Sequence, residues 1–397
     1  VPNRPLQAVT GLEPSHFTAL LSEALEGRGP ALLPIGADTP PRRTRELLRA
    51  MRPASLRTPE GVHPLEGAAA TAEDTSLVIT TSGSTGTPKG VELSSQALLA
   101  SARASVRRIG AGPDADWLCV LPTAHIAGIQ VVLRALVNGR EPVFADFDAD
   151  TVAAMARERG PHVSLVPTQL DRLLAFGTDL AAFGSILLGG AAAREDLLTA
   201  ARDTGARVIT TYGMSETSGG CVYDGVPLDG TRVDVDQEGR VLLSGPTLFS
   251  RYRLDPRRTG EHLVSGADGR TWFRTSDLGH LDGCRLRVRG RADDVINTGG
   301  HKVVAGEVAS VLTRLGSVAD AVVVGRPDDE WGQRVTAVVV PDDPNVPPTL
   351  DELRSWVAVH LPRYAAPREL ELRTEIPVLA TGKPDIEALR SPHTALD

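Results

Sequence analysis

Residues 80–90 read Thr80-Thr81-Ser82-Gly83-Ser84-Thr85-Gly86-Thr87-Pro88-Lys89-Gly90, a run of anion donors that ends in a cation. Glycines let backbone N–H groups approach phosphate oxygens, the hydroxyls add donors, and Lys89 supplies a point charge for a polyphosphate. The chemistry suits a nucleoside triphosphate. The spacing is not the Gly-Lys-Ser/Thr of common phosphate loops, because Pro88 precedes Lys89 and Gly90 follows it. A flexible Ser/Gly linker is the plain alternative. An apolar strand pattern before the run argues for a fixed loop, as does a helical pattern after it with Ser94 or Ser95 as N-cap.

Such a loop needs a rigid frame, and the surrounding pattern supplies one. Short β-branched runs at 76–81, 162–166, 185–188 and 207–211 read as buried strands, with helical patterns at 95–108, 168–176 and 194–204. This alternation predicts an α/β fold, with mainly parallel sheets covered by helices in a large N-terminal domain. From about 222 to 292 the pattern shifts to short strands with Gly and Asp turns (241–244, 278–281, 285–289), a small β-rich subdomain. Beyond it, a helix at 306–315, strands at 319–324 and 335–340, and a helix at 350–360 predict a small α+β C-terminal domain. The expected domains are thus 1–292 and 293–397.

Bulk properties narrow the function. Fifty acidic against 42 basic residues leave a net charge of -8, so a general nucleic-acid surface is disfavoured and any anion must be held locally. Cys119, Cys221 and Cys284 show neither CxxC nor Cys/His ligand spacing, which fits a reducing cytoplasmic setting without zinc. No secretory leader is evident and no run approaches ~18 apolar residues, so a membrane span is not expected.

Further along stand Tyr212-Gly213-Met214-Ser215-Glu216-Thr217, Phe273-Arg274-Thr275-Ser276-Asp277, Gly290-Arg291-Ala292-Asp293-Asp294 and Pro377 to Gly382-Lys383. With the 80–90 loop, these motifs resemble, in order, those of the adenylate-forming superfamily. That superfamily includes acyl- and aryl-CoA synthetases, peptide-synthetase adenylation domains and luciferases. The resemblance runs from Thr80 to Lys383. It implies an AMP-forming ligase that uses ATP, Mg²⁺ and coenzyme A.

The roles it implies are physically sensible, because a carboxylate attacking an α-phosphate needs charge neutralisation and in-line positioning. Glu216 is a hard oxygen ligand suited to Mg²⁺, and Thr81, Ser82, Gly83, Ser84, Thr85, Gly86 and Lys89 would cradle phosphates. Asp277 would hold ribose hydroxyls, with Arg291 nearby, while Gly190, Ala191, Thr211, Tyr212 and Gly213 would border adenine. Lys383, in the turn Thr381-Gly382-Lys383-Pro384, would meet the forming acyl phosphate. Asp293 is the implied hinge of a mobile C-terminal domain. Gly299, Gly300 and Lys302 would border the pantetheine arm, although Lys302 reads equally well as a surface charge.

The segment 121–128, Leu-Pro-Thr-Ala-His-Ile-Ala-Gly, lacks the Asp that amino-acid-activating relatives use for an ammonium group. His125 matches the position lining the acyl carboxylate and thiol entry in CoA ligases, with a buried structural histidine as the alternative. The phosphate loop begins early, and segments such as 122–139 and 211–230 are similar to the o-succinylbenzoate–CoA ligases of menaquinone biosynthesis. A substrate with two carboxylates needs a second anchor, for which Gln169, Arg172 and Arg194 are candidates, and the small residues 218–220, beginning at Ser218, leave room for its ring. Another aryl- or acyl-CoA ligase, an enzyme loading a carrier protein, and a non-catalytic binding module remain alternatives. A homodimer is an open arrangement.

Overall fold

The computed structural model describes residues 3–82, 88–378 and 384–391. Contacts group the chain into two compact units. The first comprises Val1–Gly190, Ala201–Val233 and Leu243–Arg274; the second comprises Ala191–Ala200, Asp234–Leu242 and Thr275–Asp397. The expected boundary at 292/293 thus falls within the second unit. Among the described residues no helix is long and apolar enough to cross a membrane.

The first unit holds two seven-stranded sheets. In one, Trp117–Cys119, His162–Leu165, Ser185–Leu188 and Val208–Met214 run parallel, and Gly219–Tyr223 then turns back antiparallel. Every residue of His162–Leu165 and Ser185–Leu188 is buried, as expected for strands covered on both faces. The other sheet is mixed. Leu6–Val9, Ala31–Pro34 and Thr75–Ser82 form its parallel centre, and Pro88–Ser94 and Arg251–Tyr252 add antiparallel strands.

The strand Pro88–Ser94 corrects one local expectation, since the helix Ser95–Ile109 does not follow the phosphate loop directly. Glu92 hides this strand from its sequence pattern, because a buried carboxylate in a strand is tolerated only when paired. Its partners, Arg251 and Arg253, lie far along the chain. The helix itself begins where its cap dictates: Ser94 Oγ accepts the Ala97 N–H at 3.2 Å.

In the second unit, residues Asp277–Asp282 of the strand Thr271–Asp282 form an antiparallel hairpin with Arg285–Arg291. Farther on, Val295–Thr298, His301–Val304, Val318–Asp328, Gly332–Pro341 and Glu369–Leu372 form a five-stranded sheet. The helices Ala305–Leu312 and Leu350–His360 close a core that includes Val308, Leu312, Val335, Val339, Leu353 and Val357. This mixed α/β chain, with its larger N-terminal and smaller C-terminal part, has the expected fold class.

Candidate active site

The phosphate loop is carried by a hairpin, with Thr81 opposite Lys89 and Ser82 opposite Pro88. Directly opposed residues share a face ~5 Å apart, so the Thr81 and Lys89 side chains leave the hairpin on one face. Thr81 Oγ1 is buried without a hydrogen-bond partner among the described residues. Leaving a buried hydroxyl unpaired is costly, and an anion at the hairpin end would relieve it. Gly83, Ser84, Thr85, Gly86 and Lys383 lie outside the described residues, as does the side chain of Ser82.

Lys89 Nζ lies 5.5 Å from the centre of the Tyr252 ring, within cation–π range. The Tyr252 hydroxyl in turn donates to Glu216 Oε1 at 2.8 Å. Glu216 is buried on the short 3₁₀ turn Ser215–Thr217. Thr217 Oγ1 fixes that turn by accepting the Met214 N–H at 2.9 Å and donating to the Gly219 carbonyl at 2.7 Å. Among the described residues no cluster of three or more His, Cys, Asp or Glu forms a metal cage. A single buried carboxylate instead fits a Mg²⁺ that arrives on the nucleotide and takes most of its ligands from phosphates and water.

Gly189 and Thr211 meet where two parallel strands end. Thr211 Oγ1 donates to the Leu188 carbonyl at 3.2 Å. A Cβ at Gly189 would lie 2.3 Å from that hydroxyl, and one at Gly213 would lie 2.1 Å from the Gly219 carbonyl oxygen. The Thr211 side chain thus fills the space a Cβ would need at Gly189, and close backbone approach requires glycine at position 213. Tyr212 is half-buried beside Gly213, and Gly190 is exposed. Ala191 is exposed in the other compact unit. His125 is half-buried immediately before the helix Ile126–Val137.

Ser218 and Gln169, expected around the acid, both engage the backbone. Ser218 is fully buried: its Oγ donates to the Thr247 carbonyl at 2.8 Å, and its own carbonyl accepts from Gln130 at 2.6 Å. It serves the turn and does not line open space. The Gln169 carbonyl oxygen accepts the Val166 N–H at 3.1 Å, capping the helix Pro167–Ala175. Arg172 is exposed on that helix. Arg194, in the second unit, donates to Asp196 and to the Ala319 carbonyl, the latter at 2.6 Å.

The second unit places Asp277 and Arg291 opposite each other across its hairpin. Arg291 lies 3.7 Å from Asp277 and 2.9 Å from Asp293. Burial alone lowers the Arg291 pKa, but Asp277, Asp293 and Asp294 outweigh it and the net shift is upward. The Asp277 N–H is held by Thr275 Oγ1 at 3.0 Å. In the hairpin Val295–Thr298 and His301–Val304, Gly299 and Gly300 form the turn, and Lys302 is exposed. The Gly299 N–H donates to the Trp331 carbonyl at 2.9 Å, and the Arg368 guanidinium lies 3.7 Å from the Trp331 ring centre.

The AMP-binding enzyme family matches residues 22–274, and the AMP-binding enzyme C-terminal domain matches 307–383. The chain belongs to the AMP-binding enzyme family. It is 42% identical over 97% of both chains to a Mycobacterium tuberculosis protein named "Probable 2-succinylbenzoate–CoA ligase". It is 32% identical to the Enterococcus faecalis 2-succinylbenzoate–CoA ligase, over 78% of this chain and 68% of that one. It also resembles the structure of o-succinylbenzoate CoA synthetase (MenE) from Bacillus subtilis in complex with the acyl-adenylate intermediate OSB-AMP. That likeness has a TM-score of 0.82 and 25% identity, and covers 99% of this chain and 89% of the other.

Tyr252, Arg253 and Glu92 had no place in the sequence reading. For Tyr252 the available signal is the run Gly245-Pro246-Thr247-Leu248-Phe249-Ser250-Arg251-Tyr252, whose turn residues and aromatics mark an ordered loop but name no partner.

Proposed function

We propose that this chain is an AMP-forming acid–CoA ligase that activates o-succinylbenzoate. A substrate carboxylate oxygen attacks the ATP α-phosphorus, forming the acyl–O–P bond and releasing pyrophosphate. The CoA thiolate then attacks the acyl carbonyl, forming the thioester and expelling AMP. The observation that carries this reading is the meeting of Lys89 and Glu216 on Tyr252, beside a hairpin whose Thr81 hydroxyl is buried without a partner among the described residues. The 42% identity over nearly the whole chain supports the choice of acid.

In this account Thr81, Lys89 and the 83–86 loop bind phosphate oxygens, and Glu216 holds the nucleotide-borne Mg²⁺. When bound, that ion neutralises phosphate charge. Asp277 accepts from the ribose hydroxyls, with Arg291 restraining its carboxylate, and Gly190 and Tyr212 border the base. Lys383 neutralises the oxygen at which charge develops. His125 stands at the acyl carboxylate, and Asp293 is the pivot about which the C-terminal part exchanges its two states. Gly299, Gly300 and Lys302 border the path of the thiol. Arg172, exposed on its helix, is the remaining candidate cation for the second carboxylate within the first unit.

The test is mass detection of thioester from MgATP, CoA and o-succinylbenzoate, with benzoate and a medium-chain fatty acid as controls. Thioester from o-succinylbenzoate alone is the expected result. Thioester only from another acid would retain the ligase chemistry and discard this substrate.

A further inference from the structure

One loop grips the Glu216 turn at three points. The Thr247 carbonyl accepts from Ser218 Oγ at 2.8 Å, the Phe249 N–H donates to the Glu216 carbonyl at 2.9 Å, and the Tyr252 hydroxyl donates to Glu216 Oε1 at 2.8 Å. Tyr252 is itself held rigidly. Its N–H donates to Thr259 Oγ1 at 3.0 Å, and its ring packs against Phe249 and His262 with centroids 4.7 and 5.6 Å away. The next residue, Arg253, is buried and donates its N–H to the Gly90 carbonyl at 2.7 Å, tying this loop to the strand that carries Lys89. The other side of the arrangement is the Lys89 ammonium, 5.5 Å from the Tyr252 ring centre.

From this geometry we infer that Tyr252 is a positioning residue for the adenylation site. Its hydroxyl fixes the Glu216 carboxylate, leaving Oε2 to face a divalent cation, while its ring sets the height of Lys89. The two groups that read the metal and the phosphates are thereby held at one spacing by one side chain. This inference rests on the assignment of Glu216 as the metal ligand. The fixed carboxylate loses little conformational freedom when the ion binds, so the benefit falls on metal-dependent affinity.

Tyr252→Phe removes the hydroxyl and keeps the ring beneath Lys89. The readout is equilibrium affinity for a non-hydrolysable ATP analogue, measured in EDTA and in saturating Mg²⁺, in wild type, Y252F and E216Q. A hydrogen bond to a charged group is worth roughly tenfold or more in an equilibrium constant. Y252F should therefore shrink the Mg²⁺-dependent gain in affinity by about tenfold, with the affinity in EDTA within about twofold of wild type. A lowered melting temperature with the full Mg²⁺ gain retained would make Tyr252 merely structural and overturn the inference, as would an equal loss with and without metal. E216Q separates the two ideas. If it abolishes the gain while Y252F leaves it intact, only the positioning role fails; if E216Q retains the gain, the assignment of Glu216 fails and the role of Tyr252 falls with it.

Discussion

The Arg253 guanidinium donates to the Glu92 carboxylate at 3.0 Å, and both residues are buried. Burial lowers the Arg253 pKa, opposed by Glu92. The pair joins the strand bearing Lys89 to the loop bearing Tyr252. Removing one partner of a buried ion pair leaves the other charge uncompensated. Arg253→Met should destabilise the protein by roughly 3 kcal/mol or more, read as an earlier first transition in urea; an unchanged midpoint would contradict this.

Gly213→Ala forces a Cβ to within 2.1 Å of the Gly219 carbonyl oxygen, so backbone must shift beside the turn that carries Glu216. Overpacking of this kind costs about 1–3 kcal/mol. The expected outcome is a lower melting temperature together with weaker AMP binding by calorimetry. Wild-type values for both would show that the turn yields without consequence.

His162 is buried, with Nδ1 2.8 Å from Ser185 Oγ and its ring 4.9 Å from that of Trp117. Desolvation, then Arg207 and Arg134, hold its imidazole below the ordinary 6.5. Between the folded and unfolded pKa values the unfolded chain binds more protons, so this site's contribution is complete above the unfolded value and is lost as pH falls toward the folded one. Wild type should lose stability below about pH 6.5 more steeply than His162→Gln. Parallel curves from pH 7.5 to 5 in urea titrations would remove His162 from the explanation.

Lys383→Ala should abolish acyl-adenylate formation while sparing thioester formation from supplied acyl-AMP, because its charge is needed only where the first step develops negative oxygen. Single-turnover assays of the two half-reactions read this directly. Equal loss in both would assign Lys383 elsewhere.

The sequence made much of this fold legible because local pattern and tertiary role agree in its parallel strands. Apolar runs such as His162–Leu165 and Ser185–Leu188 are buried throughout and bounded by clear turns. Pro88–Ser94 escaped because its buried Glu92 is satisfied only by Arg251 and Arg253, a long-range pairing without local signature. The partners of Ser218 and Gln169 are hidden from the sequence for a related reason. Their side chains suit a ligand as well as a turn or a helix cap, and only coordinates reveal the partners at Thr247 and Val166. Glu216 could be singled out by its motif, but Tyr252, which holds it, could not.

Acyl-adenylate formation followed by transfer to CoA is read directly by o-succinylbenzoate-dependent exchange of labelled pyrophosphate into ATP, measured without CoA. Exchange should require both Mg²⁺ and o-succinylbenzoate, and the accumulated adenylate should convert to thioester and AMP when CoA is added. Absence of exchange together with release of ADP and phosphate would contradict it.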